Sequence, residues 1–304
     1  MRIVLIAHGW LPIPPVSWGA VETLIWDSYT ILTRLGHHVL IVNTRNKEEI
    51  IRLSNEFIPD IIHLHWDEYF DILPKITGSK VVTSHKTELP LLNNSEFHRG
   101  DFILCALSQR IRDQYIAAGV SRDRIYLMPN GTNKADFVFN ESTRWDSTIY
   151  LADIREDKCQ YKYTSIESLY FVGNITCQKF VRNDRYIGVW NRNTVHSTLT
   201  DFANLLLLSN GECHSLVVCE ALMSGLGVVV SEAASAHLDR TKPWITVIPN
   251  DKLDDVPYVE SEIIKNRRIS ITMRKDIREY AIQNFSIETN IVKLYTYMAQ
   301  LGNK

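Results

Sequence analysis

The sequence predicts an α/β fold built from two Rossmann-like parallel-sheet domains facing a cleft, both compact. Three observations predict it. Apolar runs of strand length alternate with patterns of 3.6-residue helical period. The alternation breaks once, at a polar, Asn-rich stretch over 130–147, and then resumes. The chain has 304 residues, 45% hydrophobic and 22% charged, which suits two medium domains with sizeable cores.

The elements follow in order. "RIVLIA" (2–7) is a continuous apolar strand that runs into the Pro-rich loop "LPIPPVSWGA" (11–20). Val21, Leu24, Ile25, Ser28, Leu32 and Leu35 then fall at helical spacing, and Gly36 stops the helix before the strand "HVLIV" (38–42). Strand, helix and strand make the βαβ unit of a parallel sheet. A helix over 47–57 and the strands "DIIHLH" (60–65), "KVVTSH" (80–85) and "FILCAL" (102–107) continue the series. A helix over 108–118 and the strand "RIYLMP" (124–129) complete it. After the linker come strands at 148–153, 169–174, 186–190, 204–209, 227–231 and 244–249, with a helix from about 216 to 225 between the fourth and fifth. Helical patterns over 258–283 and 287–301 close the chain. The expected domains are 1–140, 141–283 and a C-terminal helix over 284–304 that packs back on the first domain.

Composition excludes several classes. A net charge of −2 gives no basic excess for a nucleic-acid binder. No apolar run approaches a membrane span of roughly 18 residues, and no amphipathic basic stretch suggests a membrane surface. The N-terminal apolar run reads as a buried strand rather than a signal peptide. Five scattered cysteines, an odd number, read as reduced thiols. The expected location is therefore cytoplasmic. No Gly-x-Ser-x-Gly elbow, Gly-x-Gly-x-x-Gly turn or Walker A loop occurs, which excludes the corresponding hydrolase, dinucleotide and P-loop chemistries.

Ligands of parallel sheets sit beyond the carboxyl ends of the strands. The loops there carry His8, His65, His85, Asn130, Gly173, Glu212 and Ser231. The stretch "GECHSLVVCEALMSGLGVVVSE" (211–232) offers two chemistries. Cys213, His214 and Cys219 are soft metal ligands, but adjacent residues rarely chelate one ion and the spacing is not that of a zinc site. Glu212 and Glu220 bracket a loop and a helix start, where free backbone N–H groups and the positive dipole end suit a diphosphate. Carboxylates also accept from vicinal hydroxyls. The glutamates are the stronger signal, and no metal ligand is expected.

These residues carry a resemblance. In order, "PPVSWGAVE" (14–22) with "LGHHVLIV", "PDIIHLH" with "VVTSH", "MPNGTNKADF" (128–137), "IYLADIREDKCQ" (149–160) and the Glu-x7-Glu stretch resemble the motifs of retaining glycosyltransferase family 4. "NFSIETN" (284–290) is similar to that family's terminal helix. The resemblance spans nearly the whole chain. It implies a GT-B fold and a metal-independent hexosyltransferase that moves a sugar from a UDP- or GDP-sugar to an acceptor hydroxyl with retention.

The resemblance also implies roles. Glu212 would hold the transferred sugar, Lys158 the leaving diphosphate and His85 the region of the sugar's C6 hydroxyl. Donor binding would fall to Glu220 at the ribose, to Gly19 and Ala20 at the first helix start, and to His214, Ser215, Leu216, Arg155 and Gly173. The sequence departs from the family in three places. His214 and Ser215 stand for its Phe-Gly, Cys213 for its Gly, and Asp153 for its phosphate Arg, so that either Arg155 takes over or Asp153 turns away. No cofactor beyond the donor is expected, and the acceptor is open. A same-fold sugar-nucleotide epimerase or phosphorylase, and a non-catalytic nucleotide-sugar or glycan-binding module, remain alternatives at this point.

Overall fold

A computed structural model of the chain describes residues 1–16, 19–86, 89 and 91–302. It divides into two units, Met1–Asn130 with the segment from Ile287 onward, and Gly131–Ser286.

The first unit begins with β1 (Arg2–Ile6), α1 (Ala20–Arg34), β2 (His38–Val42), α2 (Lys47–Phe57) and β3 (Ile61–Leu64). It continues with β4 (Ser79–Thr83), α3 (Ser95–Arg99), β5 (Ile103–Ala106), α4 (Gln109–Ala117) and β6 (Ile125–Leu127). Its strands form a parallel sheet in the order β2-β1-β3-β4-β5-β6. Strands buried on both faces read as unbroken apolar runs, and Ile3 to Ile6 have no exposed surface. The helices start where a side chain can take up free amides. Asn46 accepts from Glu48 N and Glu49 N before α2, and Ser108 accepts from Ile111 N before α4.

The second unit contains β7 (Thr148–Leu151), β8 (Leu169–Val172), α5 (Arg192–Thr198), β9 (Asn204–Leu207) and α6 (Leu216–Met223). β10 (Gly227–Ser231), β11 (Ile245–Ile248), α7 (Val256–Thr272) and α8 (Arg274–Asn284) complete it. Its parallel sheet runs β11-β10-β9-β7-β8. Thr148 Oγ1 donates to Asn204 Oδ1 at 2.6 Å, locking β7 beside β9 inside the core. Asn204 Nδ2 then reaches Ile263 O and Asn266 Oδ1, which ties α7 against β9.

The last helix, α9 (Ile287–Gly302), belongs to the first unit, where Ile291 and Leu294 are buried and Tyr295 Oη lies 3.0 Å from His63 Nδ1. The division between units falls at Asn130/Gly131, earlier than the expected boundary at 140. Residues 131–140 lack periodicity yet are bound to the second unit by hydrogen bonds. Val138 N donates to His196 O, Asn140 N to Thr200 Oγ1, and Phe137 is buried in the second core. The strand expected over 186–190 is one bridge between Tyr186 and Phe171, because the chain turns at Gly188 with φ +92°. The helix expected over 258–283 is two helices, broken at Met273.

Both sheets have one point where the strand order reverses, between β1 and β3 in the first unit and between β7 and β9 in the second. The loops leaving those strand pairs are where such sheets place ligands.

Candidate active site

In the second unit the loops after β7 and β9 meet. The turn 156–158 after β7 brings the Lys158 ammonium onto Glu212 Oε1, the carboxylate of the loop after β9. Both side chains are mostly buried, at 15% and 13% exposure. The two loops are also tied through their backbones. Asn210 N donates to Asp157 O at 2.9 Å, and Tyr150 Oη donates to Lys158 O while accepting from Leu208 N. Tyr150 is the clamp that sequence reading missed. It reads as one more apolar residue of a strand, and its hydroxyl partners are brought there by the fold.

Three residues separate Glu212 from α6. Its N-cap, Ser215, makes no side-chain capping bond, unlike the caps of α2, α4, α5 and α7. The first amides of α6, from Leu216 on, therefore have no side-chain acceptor from the cap, and the helix dipole adds positive potential there.

The other expected residues fall as follows. Asp153 is bonded into the loop after β8, its Oδ1 accepting from Asn174 Nδ2 at 3.2 Å. Arg155 is exposed and forms a two-point pair with Asp157. Gly173, with φ +143°, lets the loop after β8 touch the loop after β7, since a Cβ there would overlap Ala152 O. Glu220 is only 4% exposed, and Arg192 of α5 reaches its Oε1 at 2.5 Å. Arg192 also donates to His196 Nε2 at 2.9 Å, and burial with the nearby guanidinium pushes His196 down to about 4. Nothing in the sequence marks Arg192, which lies 28 positions from its partner.

His214 does not present its ring at the loop surface. The ring is buried against His237 and Phe285, with centroids at 5.1 and 5.9 Å. Cys219 Sγ sits 4.0 Å from His214 Nδ1, and Cys213 is buried as well. The described residues contain no group of three His, Cys, Asp or Glu side chains placed to hold a metal ion. Ser231 is buried, and its Oγ donates to Ser209 O at 2.6 Å, joining the ends of β9 and β10.

In the first unit His85 follows β4 and Gly19 caps α1, with Ala20 exposed in its first turn. Ser17 and Trp18 of the Pro-rich motif lie outside the described residues. Gly19 has φ +137° and lies against the Glu22 carboxylate, so a side chain there would displace Glu22. His85 Nε2 lies 3.2 Å from His65 Nδ1, and His65 stacks on His63 at 3.8 Å. His63 Nε2 in turn meets Thr83 Oγ1 at 2.8 Å. Imidazoles packed together, with His63 and His65 buried and His85 half-buried, stay neutral. Burial, reinforced by neighbouring rings, holds His63 down to about 3, His85 to about 4 and His65 well below its ordinary range.

The sign of the resulting pH effect is fixed. In the unfolded chain these histidines and His214, itself pushed down to about 3, titrate near 6.5. Below that pH the unfolded state binds the extra protons and the folded state does not. Stability is then expected to fall as pH drops from 6.5 toward 4, by up to about 1.4 kcal/mol per pH unit for each such histidine. Urea midpoints at pH 7.5, 6 and 5 check this. His214→Phe should flatten the slope; an unchanged slope would place His214 in water.

No family model matches the sequence, and a search by sequence among characterised proteins finds no match. Comparison of structures does. HepE of Anabaena, crystallised with UDP and glucose, superimposes with a TM-score of 0.76 at 13% identity, covering 99% of this chain and 100% of that one. The chain has the GT-B fold. AviGT4, a glycosyltransferase involved in avilamycin A biosynthesis, gives 0.77 at 15% identity over 99% of this chain and 98% of its own. Sucrose-phosphate synthase from Thermosynechococcus elongatus gives 0.74 at 14%, over 99% and 98%. No helix among the described residues is long and apolar enough to cross a membrane.

Proposed function

We propose that this GT-B chain is a retaining, metal-independent glycosyltransferase of family 4 that moves a hexosyl group from a nucleotide-diphosphate sugar to an acceptor hydroxyl. The observation that carries the reading is the Lys158–Glu212 pair. It stands where the strand order reverses, next to a helix start whose cap residue leaves the first amides uncovered. The diphosphate would lie on those amides, between His214 and Leu216, through backbone rather than side-chain contacts. Lys158 would take up the charge that develops on the leaving diphosphate, an electrostatic effect worth most where water is excluded. Glu212 would then receive hydroxyls of the sugar.

The remaining roles are assigned on the same reading. Glu220 would meet the ribose as a carboxylate already oriented by Arg192. Arg155 would be drawn to the phosphates from the exposed rim, and Gly173 serves by letting two loops approach. Gly19 and Ala20 keep the start of α1 open to a ligand, and His85 offers one ring nitrogen while the other faces His65. HepE is crystallised with UDP and with UDP-glucose, which favours a uridine nucleotide over GDP for this chain. The first unit would bind the acceptor.

The test is nucleotide release from UDP-glucose and UDP-galactose with a mixture of hydroxyl acceptors, in EDTA, with the product's anomeric proton read by NMR. Expected are turnover undiminished by EDTA, an α-linked product and loss of turnover in Glu212→Gln. An inverted product, or turnover that needs added metal, would sink the mechanism. Turnover of donor alone to an epimer would favour the epimerase alternative.

A further inference from the structure

The first unit has its own strand reversal, between β1 and β3. The loop after each of these strands carries a tryptophan. Trp10 and Trp66 meet edge to face with centroids 4.9 Å apart, and the His8 ring lies 4.9 Å from Trp10 and 5.4 Å from Trp66. Trp10 is 57% exposed. A large apolar ring left in water at the ligand edge of a sheet is costly unless something covers it.

The polar groups around the rings are arranged for a neutral, hydroxyl-rich ligand. His8 Nδ1 accepts from Trp10 N at 3.1 Å, so the ring's N–H is at Nε2, facing Glu22 Oε1 at 2.6 Å. That contact is off the line of a hydrogen bond, and Glu22, 2% exposed, has no hydrogen bond to Oε1 among the described residues. With its nearest N–H, His8 Nε2, out of line, this buried oxygen is an under-satisfied acceptor that a ligand hydroxyl entering beside His8 would complete. On the other side Lys86 lies 4.1 Å above the Trp66 ring and is paired with Glu68. Arg45 lies 6.0 Å from the Trp10 ring centre, but the carboxylates Glu22, Asp67 and Glu68 outnumber these two cations, so the cluster offers no net positive field for a phosphate. The two rings are too small an apolar surface for a lipid chain.

We propose that Trp10 and Trp66 form an acceptor subsite for a neutral pyranose, whose C–H face lies on the indoles and whose hydroxyls reach the Glu22 carboxylate. The acceptor is then a saccharide or glycoside rather than a phosphorylated or lipid alcohol. This deepens the transferase reading and rests on it for the word acceptor, though not for binding.

Saturation-transfer NMR tests it, with the methyl pyranosides of glucose, galactose and mannose as probes and glycerol 3-phosphate as the charged control. At least one pyranoside should receive saturation, strongest at ring C–H protons. Trp10→Ala should weaken that transfer fivefold or more, with Trp10→Phe restoring part of it, while UDP raises the melting temperature of the wild type and Trp10→Ala equally. No transfer to any pyranoside, equal transfer in Trp10→Ala, or stronger transfer to glycerol 3-phosphate would overturn the proposal. Pyranoside binding without any shift by UDP would leave the subsite standing and count against the transferase.

Discussion

Replacing Lys158 by alanine is expected to lower sugar transfer by about 10²- to 10³-fold, the cost of removing one preorganised charge from a developing anion. The ammonium sits on Glu212, so the free protein holds it half-neutralised and mostly out of water. That pairing makes a second, opposite expectation. Glu212→Gln removes the competing carboxylate and should bind UDP at least as tightly as the wild type, while turnover falls as steeply as in Lys158→Ala. Lys158→Ala should bind UDP more weakly. Isothermal titration with UDP, beside nucleotide release from the sugar donor, separates the two effects. If both variants lose UDP affinity alike, the pair is a structural brace for the loops rather than the charge pair of a diphosphate site.

The largest effect on stability is expected at Arg274. Its guanidinium is 2% exposed and donates to Asn140 O, Phe202 O, Thr200 O and Ser224 O, with Thr200 Oγ1 as a fifth acceptor. These acceptors come from the segment entering the unit, the turn before β9 and the end of α6. One side chain therefore closes three separate chain ends, and burial pushes it down to about 10. Arg274→Ala leaves several carbonyls buried without a donor and is expected to cost about 3–5 kcal/mol of unfolding free energy. Arg274→Met, which refills the volume, should recover only part. Urea unfolding of both variants checks this, and a loss below about 1 kcal/mol would show that water replaces the guanidinium.

The parts of the fold that were legible in the sequence are those set by local pattern. The buried parallel strands read as apolar runs because both faces are covered, as in "RIVLI" and "GVVVS". The Glu-x7-Glu stretch was legible because loop, helix and strand are contiguous there. Features that depend on two distant segments were not legible. Arg192 finds Glu220, Tyr150 clamps the Lys158 backbone, and Arg274 gathers four carbonyls, each across a gap that no local period records. The segment 131–140 read as linker because its hydrogen bonds go to another part of the chain rather than within itself. His214, expected among the donor-binding residues, turns its ring into an aromatic cluster with Phe285, 71 positions on and outside any local window. Asp153, which stands for the family's Arg, is bonded to Asn174 of another loop, 21 positions on.

The central claim is that the second unit holds a nucleoside diphosphate at the Lys158–Glu212 loops. Thermal unfolding of the whole chain with UDP, GDP, ADP and their sugars tests it most directly. A ligand at a hundredfold excess over its Kd adds about 2.7 kcal/mol to the folded state. One nucleotide, expected to be UDP, should raise the melting temperature, and Lys158→Ala should shrink that rise. No shift with any nucleotide, or a shift that Lys158→Ala leaves whole, would contradict the account.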